Sequence, residues 1–325
     1  MDAIVCRGNG QIETLDEAVA LPETGFLWVD FCREADPSWQ PLVEKLSGTT
    51  LHEEHVRDAL NTRHPSSCEI ADDYEIIIFH GLAPNEQVRS GPSALVTRPT
   101  AFFLFPRLLV TVRPSDAVSV DLVKGHLRSG RKSRAPERPV DLAILVMSAM
   151  VDRYLALREG LAEELADWQD KLLDDEDPFE EWTELMRARN RLRRFAVACE
   201  GQEDTLLLWR EETEQTIAGS LEVRFNDLLE HVRRVKQELK DLQNDIEALV
   251  QIHFSAVANR TNRIVRVLTV FTAVFLPLHL IAGIFGMNFA HLPGLDSRYA
   301  FLVTLGIMVI LIASLLAWFR HKRWL

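Results

Sequence analysis

The chain has 325 residues, 47% of them hydrophobic, and a formal net charge of -12. This length leaves room for a soluble domain and a membrane part, and the negative charge argues against a nucleic-acid partner. The four cysteines form no C-x-x-C pair, which argues against a disulfide framework or a thiolate zinc site. The N-terminal residues lack the basic start and apolar core of a signal peptide, so we expect this end to stay in the cytosol.

Residues 1–130 are predicted to form a cytosolic α/β domain. Short apolar runs typical of strands occur at residues 26–31, 75–80, 101–105 and 108–112. Helical periodicity occurs at residues 53–60 and 116–127. The segment that follows, residues 129–139, is basic and rich in helix breakers, which is typical of a linker.

Residues 140–216 are predicted to form an antiparallel pair of acidic helices. The pattern is helical on both sides of Asp177-Pro178, and proline cannot continue a preceding helical turn. Between residues 159 and 184, twelve acidic residues are offset by a single base, Lys171. The simplest interpretation of this run is a solvated helix face. The alternative is that it concentrates cations near the protein.

Residues 219–286 are predicted to form one long stalk helix that continues into the first transmembrane span. No proline or glycine lies between Ser220 and Leu276, and apolar residues recur at alternating steps of four and three. Either this apolar seam assembles several copies of the chain or it packs within one subunit. The seam consists of Leu221, Phe225, Leu228, Val232, Val235, Leu239, Leu242, Ile246 and Leu249.

Two apolar segments, residues 265–285 and 300–319, are each long enough to cross a bilayer core of about 30 Å as a helix. We assign residues 287–299 to an external loop, residues 300–320 to the second span and residues 321–325 to a basic cytosolic tail. Basic residues precede the first span and follow the second, whereas the loop between the spans carries only Arg298, offset by Asp296. By the positive-inside rule, both termini are cytoplasmic.

The polar and small residues of the first span recur at steps of three and four, which places them on one helical face. One interpretation of this polar stripe is a dry contact between helices, since small residues and hydroxyls commonly join transmembrane helices. The other is a pore wall, which requires several copies of the stripe around one axis. With two apolar residues that complete the register, the stripe consists of Asn262, Val265, Thr269, Thr272, Leu276, His279, Gly283 and Gly286.

Several motifs in the C-terminal part resemble the CorA metal ion transporter family. The resemblance implies a funnel-shaped homopentamer that is α-helical in the membrane, with two transmembrane helices per subunit and a cytosolic N-terminal α/β domain. It also implies a place in the inner (plasma) membrane, with lipid, divalent cations and copies of the chain itself as partners. The motifs are Asn259-Arg-Thr-Asn262, Val267-Leu-Thr-Val270, Phe275-Leu-Pro-Leu278, Ile281-Ala-Gly-Ile-Phe-Gly-Met-Asn-Phe289 and Lys322-Arg-Trp-Leu325.

In this resemblance, Gly286, Met287 and Asn288 match the loop that takes a hydrated cation at the outer mouth, and Gly286 is expected to permit a close backbone turn. The loop then departs from the family pattern, because it reads Leu292-Pro-Gly-Leu295 without an acidic residue. His279 stands where a threonine is common. Its side chain either forms a plain hydrogen bond in the pore, or ligates a softer metal or carries a proton. Both departures are similar to the related ZntB zinc transporters, whereas the methionine is typical of magnesium and cobalt transporters.

The resemblance also assigns roles along the long helix. Asn262 and Leu268 match the cytosolic end of the pore, and Leu276 matches a hydrophobic constriction. Leu268 is one residue off the polar stripe, so its role rests on the resemblance only. Asp227 matches a stalk aspartate that helps to bind regulatory metal between subunits, although an aspartate on a charged helix is more often simply solvated.

We therefore predict a channel-like importer of Mg2+, with Co2+ or Ni2+ as surrogates, driven by the membrane potential and gated by intracellular metal. The alternative within transport is a ZntB-like Zn2+ transporter, with or without proton coupling. Outside transport, the chain would be a membrane-anchored sensor or scaffold. No G-x-x-x-x-G-K-[ST] motif occurs, so transport by an attached nucleotide motor is not indicated. The chain is not expected to be an enzyme. No cofactor is expected beyond Mg2+, Co2+ or Zn2+ as transported and regulatory ions.

Overall fold

The computed structural model describes residues 1–7, 12–15, 20–36, 38–83, 96–129, 136–173, 182–213, 219–287 and 299–322. These form two compact units, Met1–Leu249 and Val250–Leu325. Asn288, most of the external loop, the Asp177-Pro178 joint and the last three residues lie outside the described residues. The finer sequence-based division at residues 130, 140, 216 and 286 stays a prediction.

The first unit contains a seven-stranded mixed sheet in the order β2-β1-β3-β7-β6-β5-β4. Strands β3 and β7 are parallel, and the other neighbouring pairs are antiparallel. The four predicted strands correspond to β3, β5, β6 and β7 and are confirmed, whereas β1, β2 and β4 were not predicted. The strands are β1 (Asp2–Cys6), β2 (Ile12–Leu15), β3 (Phe26–Cys32), β4 (Ser67–Ile70), β5 (Glu75–Leu82), β6 (Thr97–Phe105) and β7 (Leu108–Arg113).

Seven helices lie in the described residues. The two predicted in the N-terminal domain are present as α2 and α3, and the short helix α1 was not predicted. The helices are α1 (Trp39–Ser47), α2 (Glu53–Leu60), α3 (Val118–Arg128), α4 (Pro139–Leu173), α5 (Trp182–Glu212), α6 (Ser220–Phe285) and α7 (Ala300–His321).

The central strands are buried on both faces, which explains why they read as nearly continuous apolar runs. On one face, Trp39 of α1 packs against Phe103 of β6, with ring centroids 5.3 Å apart, in a core that also includes residues of α2. On the other face, α4 contacts four strands of the sheet. The predicted α/β class is therefore confirmed as a layered arrangement of helices on both sides of the sheet.

A network of charged side chains is buried between the sheet and α3. Asp30 on β3 is only 3% exposed and accepts hydrogen bonds from Thr111 Oγ1 at 2.5 Å, Arg113 Nε at 2.8 Å and Lys124 Nζ. Lys124, also 3% exposed, pairs in addition with Asp2. Such a network is costly to break, because removing one partner leaves the other charges buried without compensation.

Helices α4 and α5 are antiparallel. Tyr154 on α4 packs against Phe195 with ring centroids 4.5 Å apart and receives a hydrogen bond from Gln202 Nε2 at 3.4 Å. Further along α4, Glu164 interacts electrostatically with Arg191. Residues later in α4 thus contact residues earlier in α5, which shows that the two helices run in opposite directions.

The apolar seam of α6 packs within the chain. All nine seam residues are buried in the single subunit, at 6% exposure or less, and Phe225 lies 5.6 Å from Trp209 of α5 between ring centroids. This decides between the two alternatives left open by the heptad pattern, because a seam that is already covered does not need another copy of the chain. An assembly that involves this part of α6 therefore uses its other faces.

Glu203 of α5 adds a polar contact beside the seam. It accepts a hydrogen bond from Arg233 Nε of α6 at 2.7 Å and another from Lys236. Burial opposes ionisation of the carboxyl group, but the hydrogen bonds from Lys236 and Arg233 outweigh it and hold the pKa of Glu203 below its ordinary value. The carboxylate therefore stays charged and joins α5 to the soluble part of α6.

The second unit contains the two helices that are long and apolar enough to span a membrane, the end of α6 and α7. Each has one covered face. On α6, Val270 and Val274 are buried, and on α7, Phe319 is buried, while most other side chains of both spans are exposed. Matching covered faces indicate that the two spans pack side by side and leave their remaining surfaces for lipid or for other copies.

Candidate functional site

The polar stripe of the first span lies on the side of α6 opposite its covered face. With about 100° of rotation per residue, Val270, Val274 and the half-buried Ile281 fall half a turn away from the centre of the stripe. The stripe residues are exposed, with Leu276 at 68% and Val265 at 54%. The stripe is therefore not the contact between the two spans of one chain, and it is free to face a neighbouring subunit or water.

The threonines of the stripe satisfy their hydroxyl hydrogens within the helix. Thr269 Oγ1 donates to Val265 O at 2.7 Å, and Thr272 Oγ1 donates to Leu268 O at 2.8 Å. A hydroxyl oxygen keeps two lone pairs when it donates its hydrogen. Each threonine thus presents an acceptor oxygen outward, which is the ligand type that suits Mg2+ or the waters around it.

His279 is also anchored to the turn before it. Its Nδ1 lies 3.0 Å from Phe275 O, and its ring centroid lies 6.3 Å from that of Phe275. The residue is exposed on the same face as Thr272. The imidazole therefore has a fixed attachment to the helix and one nitrogen directed away from it.

Gly286 lies in the turn that directly follows the last residue of α6, Phe285. In the described residues, positive φ angles occur at Gly25, Gly48 and Gly219, and not at Gly286. Gly286 N instead donates to Ala282 O at 2.9 Å, so the helical pattern continues to this point. A Cβ on Gly286 would lie 3.0 Å from that same carbonyl oxygen, so the absence of a side chain permits a close approach here without a left-handed conformation. Met287 follows and is 52% exposed, whereas Asn288 lies outside the described residues.

Asp227 lies on the exposed side of the stalk, in the first unit. Its side chain is 68% exposed, and its Oδ1 lies 3.6 Å from His231 Nε2 one turn later on α6. The other imidazole nitrogen, His231 Nδ1, lies 3.5 Å from Asp152 Oδ1 of α4. Because the two carboxylates lie on opposite nitrogens of one ring, this arrangement does not converge on a common metal position.

In the part of the chain that the structure describes, no group of three or more histidine, cysteine or acidic side chains could hold a metal ion. Asp227 and Asp152 are both largely exposed. A regulatory site that uses Asp227 would therefore need ligands other than the described residues of this one chain. The neighbouring pair formed by His231 and Asp152 was not predicted, although the spacing of four residues between Asp227 and His231 was a usable signal.

The family model described as "CorA-like Mg2+ transporter protein" matches residues 23–322. This chain belongs to the CorA-like Mg2+ transporter family. It is a divalent metal transporter of the inner membrane, with a cytoplasmic N-terminal domain and two C-terminal spans. The predicted family, localisation and fold, an α/β domain followed by two apolar helices, are confirmed, as is the prediction that the chain is not an enzyme. The alternative of a membrane-anchored sensor or scaffold is set aside.

Two curated relatives show that this CorA-family chain is similar to proteins named for different metals. It is 23% identical over 280 residues to the cobalt/magnesium transport protein CorA of Thermotoga maritima, covering 85% of this chain and 77% of that protein. It is 25% identical over 325 residues to the zinc transport protein ZntB of Yersinia enterocolitica, covering 98% and 94%.

Solved structures agree on the fold of this CorA-family chain. The CorA magnesium transporter from Methanocaldococcus jannaschii matches with a TM-score of 0.83 at 20% identity, covering 100% of this chain and 99% of the other. The ZntB cytoplasmic domain from Vibrio parahaemolyticus matches with a TM-score of 0.65 at 12% identity, covering 81% and 98%. These TM-scores show that the chain shares a fold with both structures, although the sequence identities are low.

Proposed function

We propose that this chain assembles as a homopentamer whose polar stripes line a channel that imports Mg2+, with Co2+ and Ni2+ as surrogates. The single observation that supports this best is the exposure of the stripe on the face of α6 opposite the covered one. An amide, two hydroxyls and an imidazole facing hydrocarbon would be costly. A ring of subunits would place them on a common water-filled axis.

In this proposal the ion passes Asn288 and its neighbours Gly286 and Met287 at the outer mouth. It then moves along the stripe, through the constriction at Leu276, towards Leu268 and Asn262 at the cytosolic end. The remaining lining comes from Val265, Thr269, Thr272, His279 and Gly283. Mg2+ gives up its waters reluctantly, so amide and hydroxyl oxygens that accept hydrogen bonds from those waters suit a hydrated ion.

The driving force is the membrane potential. A divalent ion carries two charges, each gaining about 2.3 kcal/mol per 100 mV, so entry into a negative cell gains about 4.6 kcal/mol at 100 mV. We further propose that intracellular metal closes the channel by binding Asp227 together with a group from a neighbouring subunit. The exposure of Asp227 supports this arrangement.

A second candidate is a ZntB-like Zn2+ transporter. The similarity to ZntB along nearly the whole chain favours it, as do the uncharged sequence Leu292-Pro-Gly-Leu295 and the imidazole at position 279. The methionine of Gly286-Met287-Asn288 favours Mg2+. The two candidates differ in cargo and in the role of protons.

Ion flux into proteoliposomes that contain the purified full-length chain tests both candidates. We expect Mg2+ uptake that rises with an inside-negative potential and does not change when a proton gradient is imposed or dissipated. Zn2+ uptake that exceeds Mg2+ uptake and depends on the proton gradient would favour the ZntB-like candidate. If neither ion enters faster than in protein-free vesicles, both candidates are wrong.

A further inference from the structure

We propose that the imidazole of His279 is a ligand for divalent transition metals inside the ion pathway and that it discriminates between these metals and Mg2+. The chemical class is the borderline ions such as Zn2+, Co2+ and Ni2+, for which imidazole is a suitable ligand. This inference rests on the proposed function, because only a ring of subunits brings several copies of His279 to one water-filled axis.

The hydrogen bond of His279 fixes which nitrogen is available. A backbone carbonyl oxygen can only accept a hydrogen bond, so the 3.0 Å contact between Nδ1 and Phe275 O requires the hydrogen to be on Nδ1. In a neutral imidazole the other nitrogen, Nε2, then carries a lone pair. Nε2 makes no hydrogen bond to the residues that the structure describes, and it is the atom that a metal ion or a water can approach.

This attachment is the one found around ligating histidines. A histidine that binds metal usually donates its other ring N–H to a carboxylate, a backbone carbonyl or water, which orients the ring and makes the ligating nitrogen more basic. Phe275 O fills that position for His279. The geometry of the single subunit therefore supplies both the free lone pair and the group that holds it in place.

Two other histidines that the structure describes use both ring nitrogens. His55 uses Nδ1 with Tyr74 and Nε2 with Glu69, and His80 uses Nδ1 with Thr97 and Nε2 with His64 O. Both lie in the soluble domain and join elements of its fold. Their rings are structural, whereas the ring of His279 is bonded on one side only.

The position of His279 within the span argues against a side chain that faces lipid. It lies six residues before the end of α6, about 9 Å along the axis, and thus inside the predicted span. An acceptor nitrogen without a partner in hydrocarbon is energetically unfavourable. Nε2 must therefore face water or another subunit, and the polar stripe on which it lies satisfies that requirement in a ring.

The stripe offers two kinds of ligand atom, which suit different metal ions. Thr269 and Thr272 present oxygen, which suits Mg2+ and its waters, and His279 presents nitrogen, which suits Zn2+, Co2+ and Ni2+. A dehydrated transition metal held by imidazole would pause in the pathway longer than a hydrated Mg2+. We therefore expect Zn2+ to compete with Mg2+ at this level of the span.

The test compares the full-length chain with His279→Thr in proteoliposomes. Uptake of isotopically labelled Mg2+ is measured while external Zn2+ is raised, and each variant is normalised to its own rate without Zn2+. We expect the Zn2+ concentration that halves uptake to rise at least tenfold in His279→Thr. His321→Thr, which removes an exposed histidine at the end of α7, is the matched control and should respond like the unsubstituted chain.

A second readout does not depend on flux. Titration of the detergent-solubilised chain with Co2+ should give a visible absorption band from imidazole-bound Co2+ that His279→Thr weakens and His321→Thr retains. If Mg2+ enters but all three proteins respond alike to Zn2+, the role of His279 is wrong and the channel stands. If no divalent ion enters, the proposed function fails. A Co2+ spectrum that does not depend on His279 overturns the assignment in either case.

Discussion

Replacing Asn288 with alanine is expected to reduce divalent-metal uptake at least tenfold. In the proposed pore, the amide oxygens of Asn288 accept hydrogen bonds from the waters of the arriving ion. A hydrogen bond to a charged group contributes about 1.5–3 kcal/mol, and a loss of 1.4 kcal/mol already corresponds to a factor of ten. The substitution removes this contact from every subunit at once. Uptake of labelled Mg2+ into proteoliposomes measures the effect.

The matched control for this experiment is Asn190→Ala. Asn190 is exposed on α5 of the soluble unit, so the same chemical change there should leave uptake at the level of the unsubstituted chain. Equal uptake by Asn288→Ala and Asn190→Ala would contradict the assignment of the outer mouth. Loss in both would indicate that the protein tolerates neither change, and intact assembly is therefore verified by size-exclusion chromatography.

Replacing Asp30 with alanine is expected to destabilise the soluble unit by about 3–5 kcal/mol, the usual effect of removing one partner from a buried ion pair. Lys124 and Arg113 would then remain in the interior without their shared carboxylate. For a domain of this size, such a loss lowers the unfolding temperature by roughly 6–20 °C. Tryptophan fluorescence during heating measures it, since Trp28 and Trp39 are fully buried in the same unit.

An exposed ion pair provides the control for Asp30→Ala. Glu13 pairs with Arg7 at 2.9 Å, with both side chains about half exposed. Exposed pairs contribute little, because solvent screens them and the ordering of the side chains offsets the gain. Glu13→Ala should therefore cost less than about 1 kcal/mol. A similar small effect for both substitutions would mean that the buried network does not stabilise the fold.

The elements with regular apolar patterns were predictable from the sequence. The four central strands, the heptad seam of α6 and both spans depend on local periodicity, which one sequence contains. The edge strands were not predicted because their pattern is weak. In β4, for example, Cys68 is the one buried residue of four, and β2 contains none. These short segments have too few buried apolar residues to be recognised as strands from the sequence, and they are strands because they pair with their neighbours in the sheet.

Contacts between distant residues could not be predicted in the same way. Asp30 appears in the sequence as an isolated acid within an apolar strand, and its partners Arg113 and Lys124 follow 83 and 94 residues later. The partner of the α6 seam was likewise open until its burial within the subunit was seen. The polar stripe was predictable as a face of a helix, whereas the direction of that face relative to the second span required the structure.

In the proposed channel the polar stripe faces water, and the accessibility of an introduced thiol measures this directly. Cys6, Cys68 and Cys199 can remain, because burial raises the pKa of each thiol to about 12 and suppresses the reactive thiolate. In a Cys32→Ser background, Thr272→Cys places a thiol on the stripe, and Ile310→Cys places one at mid-span on an exposed face of α7.

A charged, water-soluble methanethiosulfonate reagent is then applied to the membrane-embedded chain without divalent metal, and labelling is measured by mass spectrometry. We expect labelling of the thiol at position 272 and none at position 310, which faces lipid in the proposed channel. An unlabelled thiol at position 272, in a preparation where a control thiol on the exposed stalk at Asn226→Cys is fully labelled, would contradict the existence of an aqueous pathway along the stripe.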